Sequence, residues 1–260
     1  FSNMAESIKE LKKFLNPSTN AFKRATFDVL VAIVLKICLL LKVKPNPLSI
    51  FSLFYSLIPL SLIAFGTTRG TILGSILLFM IVIFDHVDGS IARYNKTKSY
   101  MGAYLERMYH RLIPPAIFIA LGIKGFQQTG SVLFLYLSAL IVFSMFLAHW
   151  ARVSKYEIVL QKSDKAIKNV NPFLLKKLDK KKTLHRLYDA AITVPARIDN
   201  ICLFIIILSF FNLLPYLVIA YTPFYVGIAV VKTYVEARSG FKEFDLPKHY
   251  KTPDNVYKVK

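Results

Sequence analysis

The chain is poor in cysteine, with two residues in 260, and this leaves little scope for disulfide or thiolate chemistry. Cys38 and Cys202 lie far apart in apolar runs, without the close spacing of a metal site, and read as reduced residues of a core or a lipid-facing surface. Acidic residues are scarce too, 15 against 34 basic ones, for a formal net charge of +19. Such an excess can signal nucleic acid. Here the basic residues stand between apolar runs, as they do in cytoplasmic loops, so no nucleic-acid partner is expected. No internal repeat is visible. Nor is there the pair of interrupted apolar segments, one in each half, that would argue for a transporter. The polar, charged N-terminus lacks a short apolar core followed by a cleavage site, so no signal peptide is expected. Met4 reads as the natural start, with Phe1, Ser2 and Asn3 as an added leader.

What the sequence does have is apolar length. Hydrophobic residues make up 55% of the chain and the mean hydropathy is +0.47, too apolar for an ordinary soluble domain. Several stretches approach the ~20 residues that a bilayer-crossing helix needs. The expected fold is an all-α integral membrane protein with six transmembrane helices and an N-terminal amphipathic interfacial helix. Residues 4–16 alternate apolar and charged positions at helical spacing. Residues 25–42 are interrupted by Asp28 and Lys36. With only about fifteen cleanly apolar positions they read as a helix lying in the headgroup plane, an extra span being the alternative. Pro45-Asn46-Pro47 then turns the chain into the membrane. Spans are predicted at about 47–66, 70–94, 99–123, 129–153, 188–211 and 213–236. The domain organisation follows: 1–45 cytoplasmic or interfacial, 46–237 the six-helix membrane domain, 238–260 a polar cytoplasmic tail.

Lys and Arg crowd the N-terminus, the 93–98 link, the 152–186 segment and the tail, whereas the alternate loops hold only Arg69 and Lys124. Positive residues stay inside, which places both termini of a multi-pass protein in the cytoplasm. The 155–186 stretch reads as a solvated positive loop that also attracts anionic headgroups.

One stretch departs from this pattern. Residues 84–111, FDHVDGSIARYNKTKSYMGAYLERMYHR, put Asp85 and Asp88 at the end of an apolar run, followed by Gly89, Ala92 and Arg93. Gly102, Glu106 and His110 come next, four residues apart. Residues three or four apart share a helix face, so each set forms a stripe, and a tight link lets the two stripes face each other. Three carboxylates and an imidazole would then surround one pocket, with small residues leaving room for a ligand. Oxygen ligands of this kind suit Mg²⁺ or Mn²⁺, which also hold phosphates. The acids could instead pair with Arg93, Arg107 or Arg111 to tie two helices together, but that leaves Gly89, Ala92 and Gly102 unexplained. His86 lies about 100° round the helix from Asp85 and is expected to pack or to support a neighbour.

These residues resemble the signature of the CDP-alcohol phosphatidyltransferases, D-x-x-D-G-x-x-A-R-x8-G-x3-D-x3-D, without a gap from Asp85 through Gly102. Glu106 and His110 stand where that family has its third and fourth Asp. The resemblance implies transfer of a phosphatidyl or similar phospho-alcohol group from a CDP-linked lipid or CDP-alcohol to an alcohol or phospho-alcohol acceptor. CMP is released, in phospholipid or polar-lipid synthesis at the bilayer. It further implies a pair of Mg²⁺ or Mn²⁺ ions held by Asp85, Asp88, Glu106 and His110, with His110 also the base. The nucleotide would lie along Asp85, Asp88, Gly89, Ala92, Arg93 and Gly102, in a site open to the cytoplasm. Arg93 would contact phosphate or brace an acid, and the protein would be a homodimer. Trp150-Ala151-Arg152 and Pro195-Ala196-Arg197-Ile198-Asp199 resemble, more weakly, the places where relatives bind a phosphorylated acceptor through Arg152 and Arg197. Arg152 could instead anchor a span, and Asp199 could pair with Arg197. The alternative function is a member that kept the fold and acts as a CDP-lipid-binding or scaffold protein, and a transporter or channel comes last.

Overall fold

The computed structural model describes residues 10–15, 21–97, 99–162 and 198–238, and every regular element among them is helical. A 3-10 turn, Lys12–Phe14, precedes α1 (Ala21–Leu40), α2 (Pro45–Tyr55), α3 (Leu57–Phe65), α4 (Thr68–Tyr94), α5 (Tyr100–Thr129), α6 (Leu133–Lys162), α7 (Ile198–Phe210) and α8 (Leu214–Arg238). Of the predicted segments, 4–9, 163–186 and the tail from 239 lie outside the described residues.

Local chemistry sets the helix ends. Pro45 opens α2, where its fixed φ suits a first turn and its missing N–H costs nothing. Thr67 and Ser99 cap α4 and α5 by accepting from Gly70 N and Gly102 N. Three ends share one device, a left-handed residue just past the helix: Lys42 (φ 54), Lys96 (φ 55) and Asn212 (φ 57). Each is followed by an amide that returns to a carbonyl five residues back, as in Val43 N to Cys38 O at 2.9 Å and Thr97 N to Ala92 O at 2.9 Å. The links are therefore tight.

Among the described residues four helical stretches are long and apolar enough to cross a membrane: Pro45–Phe65, Thr68–Tyr94, Leu133–Ala151 and Leu214–Ala237. The predicted first span is interrupted at Ser56, because Pro59 has no N–H to give the Tyr55 carbonyl. The ladder resumes at once through Ser56 N to Ser52 O (3.1 Å) and Leu60 N to Ser56 O (3.2 Å). The predicted third span forms a 30-residue helix, α5, but is not among the four. It carries Glu106, Arg107, His110 and Arg111 near one end and Lys124, Gln127 and Gln128 near the other. Only 198–210 of the predicted fifth span is described, as the 13-residue apolar α7. Helix α1, predicted to lie at the interface, is likewise not among the four.

The described residues form two compact units, one within Phe1–Ala139 and Ala196–Ala220, the other within Leu140–Pro195 and Tyr221–Lys260. In the first, Phe27, Val31, Leu35 and Cys38 make a buried stripe on α1, and α1 packs on α4 with Phe27 edge-on to Phe79 (5.8 Å) and His86 (5.0 Å). Lipid tails are as apolar as leucine, so such helices associate by close packing and small residues rather than by escape from water. Gly74 illustrates this: a Cβ there would lie 2.8 Å from Pro59 O, so α4 can run against α3 only without one. Gly122 is equally tight against Ser138 of α6. Lys124 corrects the loop assignment made from sequence. It is buried in α5, and its Nζ donates to Gly66 O at 2.7 Å, tying α5 to the turn between α3 and α4. In the second unit Tyr221, Phe224 and Tyr225 form a ring cluster on α8.

Candidate active site

Helix α4 ends its apolar run at Phe84, and the 95–99 link leads into α5, which packs on α2 and α3 and reaches α4 through side chains. Across this pair His110 Nε2 stands 3.7 Å from Asp85 Oδ2, the Asp85 side chain 8% exposed and the His110 side chain 48%. The two helices thus present an acid and an imidazole to each other. Asp88 is turned toward α2, where Ser49 Oγ donates to its Oδ2. Glu106 is exposed on α5 yet near enough to act electrostatically on Asp85, Asp88, Arg93 and His110.

Several members of the cluster were not picked out from sequence. Asp199, in the first turn of α7, is buried, and its Oδ1 lies 4.0 Å from His86 Nε2. His86 Nδ1 lies 2.9 Å from Val82 O, so its ring is oriented from both sides and faces Asp199. An acid inside an apolar run was the available signal, but it was assigned to Arg197, which lies outside the described residues. Ser49 and Asn46 belong to a stretch read only as a helix start. Asn46 Oδ1 lies 3.3 Å from where a Cβ on Gly102 would be, so α2 and α5 meet there without room for a larger residue. Tyr109 is buried between these groups, edge-on to the His110 ring at 5.5 Å and within electrostatic reach of Asp85, Asp88 and Asp199. Its hydroxyl has no hydrogen-bond partner among the described residues.

Arg93 acts electrostatically on Asp88 and Glu106 and also holds the N-terminal segment. Its guanidinium lies over Gly89, whose Cβ would be 3.5 Å from Nη1. Its Nε donates to Phe14 O (2.6 Å) and Nη2 to Ser90 Oγ (3.0 Å), while the Phe14 ring meets Tyr94 edge-on at 5.1 Å. It therefore clamps the N-terminal segment onto the end of α4. Among the described residues no Lys or Arg forms an ion pair with Asp85, Asp88 or Glu106, so these acids do not act as a tie between helices. Arg152 lies in α6 with its side chain outside the described set, so neither it nor Arg197 is placed relative to the acids.

Asp85, Asp88 and Glu106, without an ion-paired Lys or Arg among the described residues and with an orphaned hydroxyl beside them, are costly in a poorly solvated site. The donor set, all oxygen apart from one imidazole, fits a hard divalent cation. The spacing is less complete: among the described residues no three His, Cys, Asp or Glu side chains are gathered closely enough to hold a metal.

No curated protein matches the chain. Residues 42–235, from the Lys42 link through most of α8 and including every acid just described, match the CDP-alcohol phosphatidyltransferase family. On that match, which spans most of its length, the chain belongs to the CDP-alcohol phosphatidyltransferase family.

Proposed function

We propose that the protein is a metal-dependent, integral-membrane enzyme that transfers a phospho-alcohol group from a CDP-linked donor to an alcohol acceptor in lipid synthesis. Family membership supplies the reaction class. The observation that carries the residue assignment is the pairing of buried Asp85 with His110 across α4 and α5, beside Asp88 and Glu106, which form no ion pair with a Lys or Arg among the described residues.

Asp85, Asp88 and Glu106 are the residues that would hold Mg²⁺ or Mn²⁺, with His110 adjacent. Such ions neutralise the donor diphosphate and the charge growing on the leaving phosphate. Ser49 fixes Asp88 by its hydrogen bond. Gly89, Ala92 and Gly102 would let the nucleotide approach the helix backbones, with the Arg93 guanidinium over Gly89 and the Asn46 side chain beside Gly102 turning to meet it. Asp85 faces Nε2 of His110, which leaves Nδ1 as the nitrogen open to an acceptor hydroxyl. His110 takes that proton as the hydroxyl oxygen bonds to the β-phosphorus, and the bond from that phosphorus to the CMP oxygen breaks. Arg152 and Arg197 contact the phosphate of a phosphorylated acceptor. The positive segments keep this end of the helices at the cytoplasmic surface, where a nucleotide arrives from water and a lipid from the side.

The test is CMP release by the purified protein from CDP-diacylglycerol with Mg²⁺ or Mn²⁺ against a panel of alcohol and phospho-alcohol acceptors. Release that disappears in Asp85→Ala and Asp88→Ala is expected. No CMP from any donor, or variants that work as well as wild type, would overturn the assignment. The unclosed ligand set favours one second reading, a CDP-lipid-binding protein without turnover, for which CDP would bind and no CMP would form.

A further inference from the structure

Next to the acid cluster the first unit contains a second feature, a cavity of about 720 Å³ that none of the acids lines. Its walls come from the last turn of α1, the 41–44 link, the start of α2 and the stretch from Tyr94 to Ser99. Lys36, Lys42 and Lys44 stand around it, and among the described residues its lining includes no Asp or Glu. Leu11, Leu40 and Tyr94 add apolar surface. The volume falls in the range of small-molecule sites, roughly 300–1,000 Å³.

The three lysine side chains have no ion pair or hydrogen bond among the described residues. Three lysines lining one hollow give it a positive field, which an anion inside it would neutralise. A positive link at a bilayer surface needs no cavity, but here the link has one. Lys42 holds a left-handed backbone (φ 54) that glycine adopts more readily, yet the chain keeps a cation at this rim. Helix α2 begins at the same wall, without a side-chain cap, so its positive dipole end adds to the field.

We propose that this cavity binds the phosphate of an anionic amphiphile, a phospholipid whose headgroup sits among Lys36, Lys42 and Lys44 while its apolar part meets Leu40 and the bilayer. The site is separate from the acids. A lysine-lined hollow takes phosphate directly and needs no metal, whereas the acids repel phosphate unless a cation stands between. An occupant would bridge α1, α2 and the link that joins the two acid-bearing helices.

The experiment uses the full chain in neutral detergent with chelator present, so that no divalent ion contributes. Dihexanoyl phosphatidic acid is the probe, with dihexanoyl phosphatidylcholine and inorganic phosphate as comparisons, and binding is followed by microscale thermophoresis. Phosphatidic acid should bind, phosphatidylcholine should not, and inorganic phosphate should compete weakly. The combined variant Lys36→Gln, Lys42→Gln, Lys44→Gln should lose at least about tenfold in affinity, given the roughly 1 kcal/mol that each basic residue contributes near a charged headgroup. The charge-keeping variant Lys36→Arg, Lys42→Arg, Lys44→Arg should bind normally, which guards against a folding defect in the first. Equal binding by the Gln variant, or by phosphatidylcholine, would overturn the proposal. Inorganic phosphate binding as tightly as the lipid would assign the cavity to a soluble phosphate instead. Displacement by CDP once Mg²⁺ is added would merge the cavity with the donor site. None of these readouts depends on turnover, so this inference and the proposed reaction stand or fall separately.

Discussion

Tyr109 offers a test in which stability and activity should move in opposite directions. Its ring is buried between α4, α5 and α7, and its hydroxyl has no partner among the described residues. A buried, unsatisfied hydroxyl costs on the order of 1–3 kcal/mol. Tyr109→Phe removes that group and keeps the ring, so the ligand-free protein should become more stable. For a chain of this size each ~1 kcal/mol moves a thermal midpoint by roughly 2–4 °C. A rise of a few degrees in a detergent thermal-shift assay is therefore expected. The same hydroxyl is within electrostatic reach of Asp85, Asp88 and Asp199, near where the donor diphosphate is proposed to sit, and could donate to it. Loss of one hydrogen bond of ~1.5 kcal/mol in the transition state lowers a rate about tenfold, so CMP release should fall by that order. Stabilisation by added CDP and Mg²⁺ should shrink as well. A lower midpoint in Tyr109→Phe would mean that the hydroxyl already has a partner. Unchanged CMP release with a raised midpoint would remove it from the substrate's surroundings.

His110→Ala should reduce CMP release by about a hundredfold or more, the usual size of a lost general base, while His110→Asp should retain much of it, since a carboxylate can both take a proton and bind a divalent ion. Equal rates for His110→Ala and wild type would take the imidazole out of the chemistry. Chelation of divalent ions should abolish turnover and Mn²⁺ or Mg²⁺ should restore it; turnover that persists in chelator would show that the carboxylates act without a metal. Gly122→Val would force a branched side chain into Ser138 and the α6 backbone. A loss of about 1–3 kcal/mol or more is expected from such overpacking, read as a lower midpoint, and an unchanged midpoint would mean that α5 and α6 are not close there.

The sequence alone decided the helical, apolar character of the chain, the two acid-bearing helix stripes and the family, because these are local or periodic properties. Asp85 and Asp88 lie a turn apart whatever surrounds them, and Gly102, Glu106 and His110 recur at four-residue steps. Proline and helix-end chemistry were also legible, although the break at Ser56 depended on a single missing N–H at Pro59.

Which side chains meet across helices was left to tertiary packing, since it depends on how each helix is rotated and on what its neighbours leave open. That is why Asp199 faces His86 from a helix more than a hundred residues away, and why Ser49 rather than an arginine holds Asp88. It is also why Arg93 reaches back to Phe14 and Lys124 lies buried against Gly66 instead of in a loop. A side chain's helix face is written in its spacing, but its partner is chosen only when the faces are brought together.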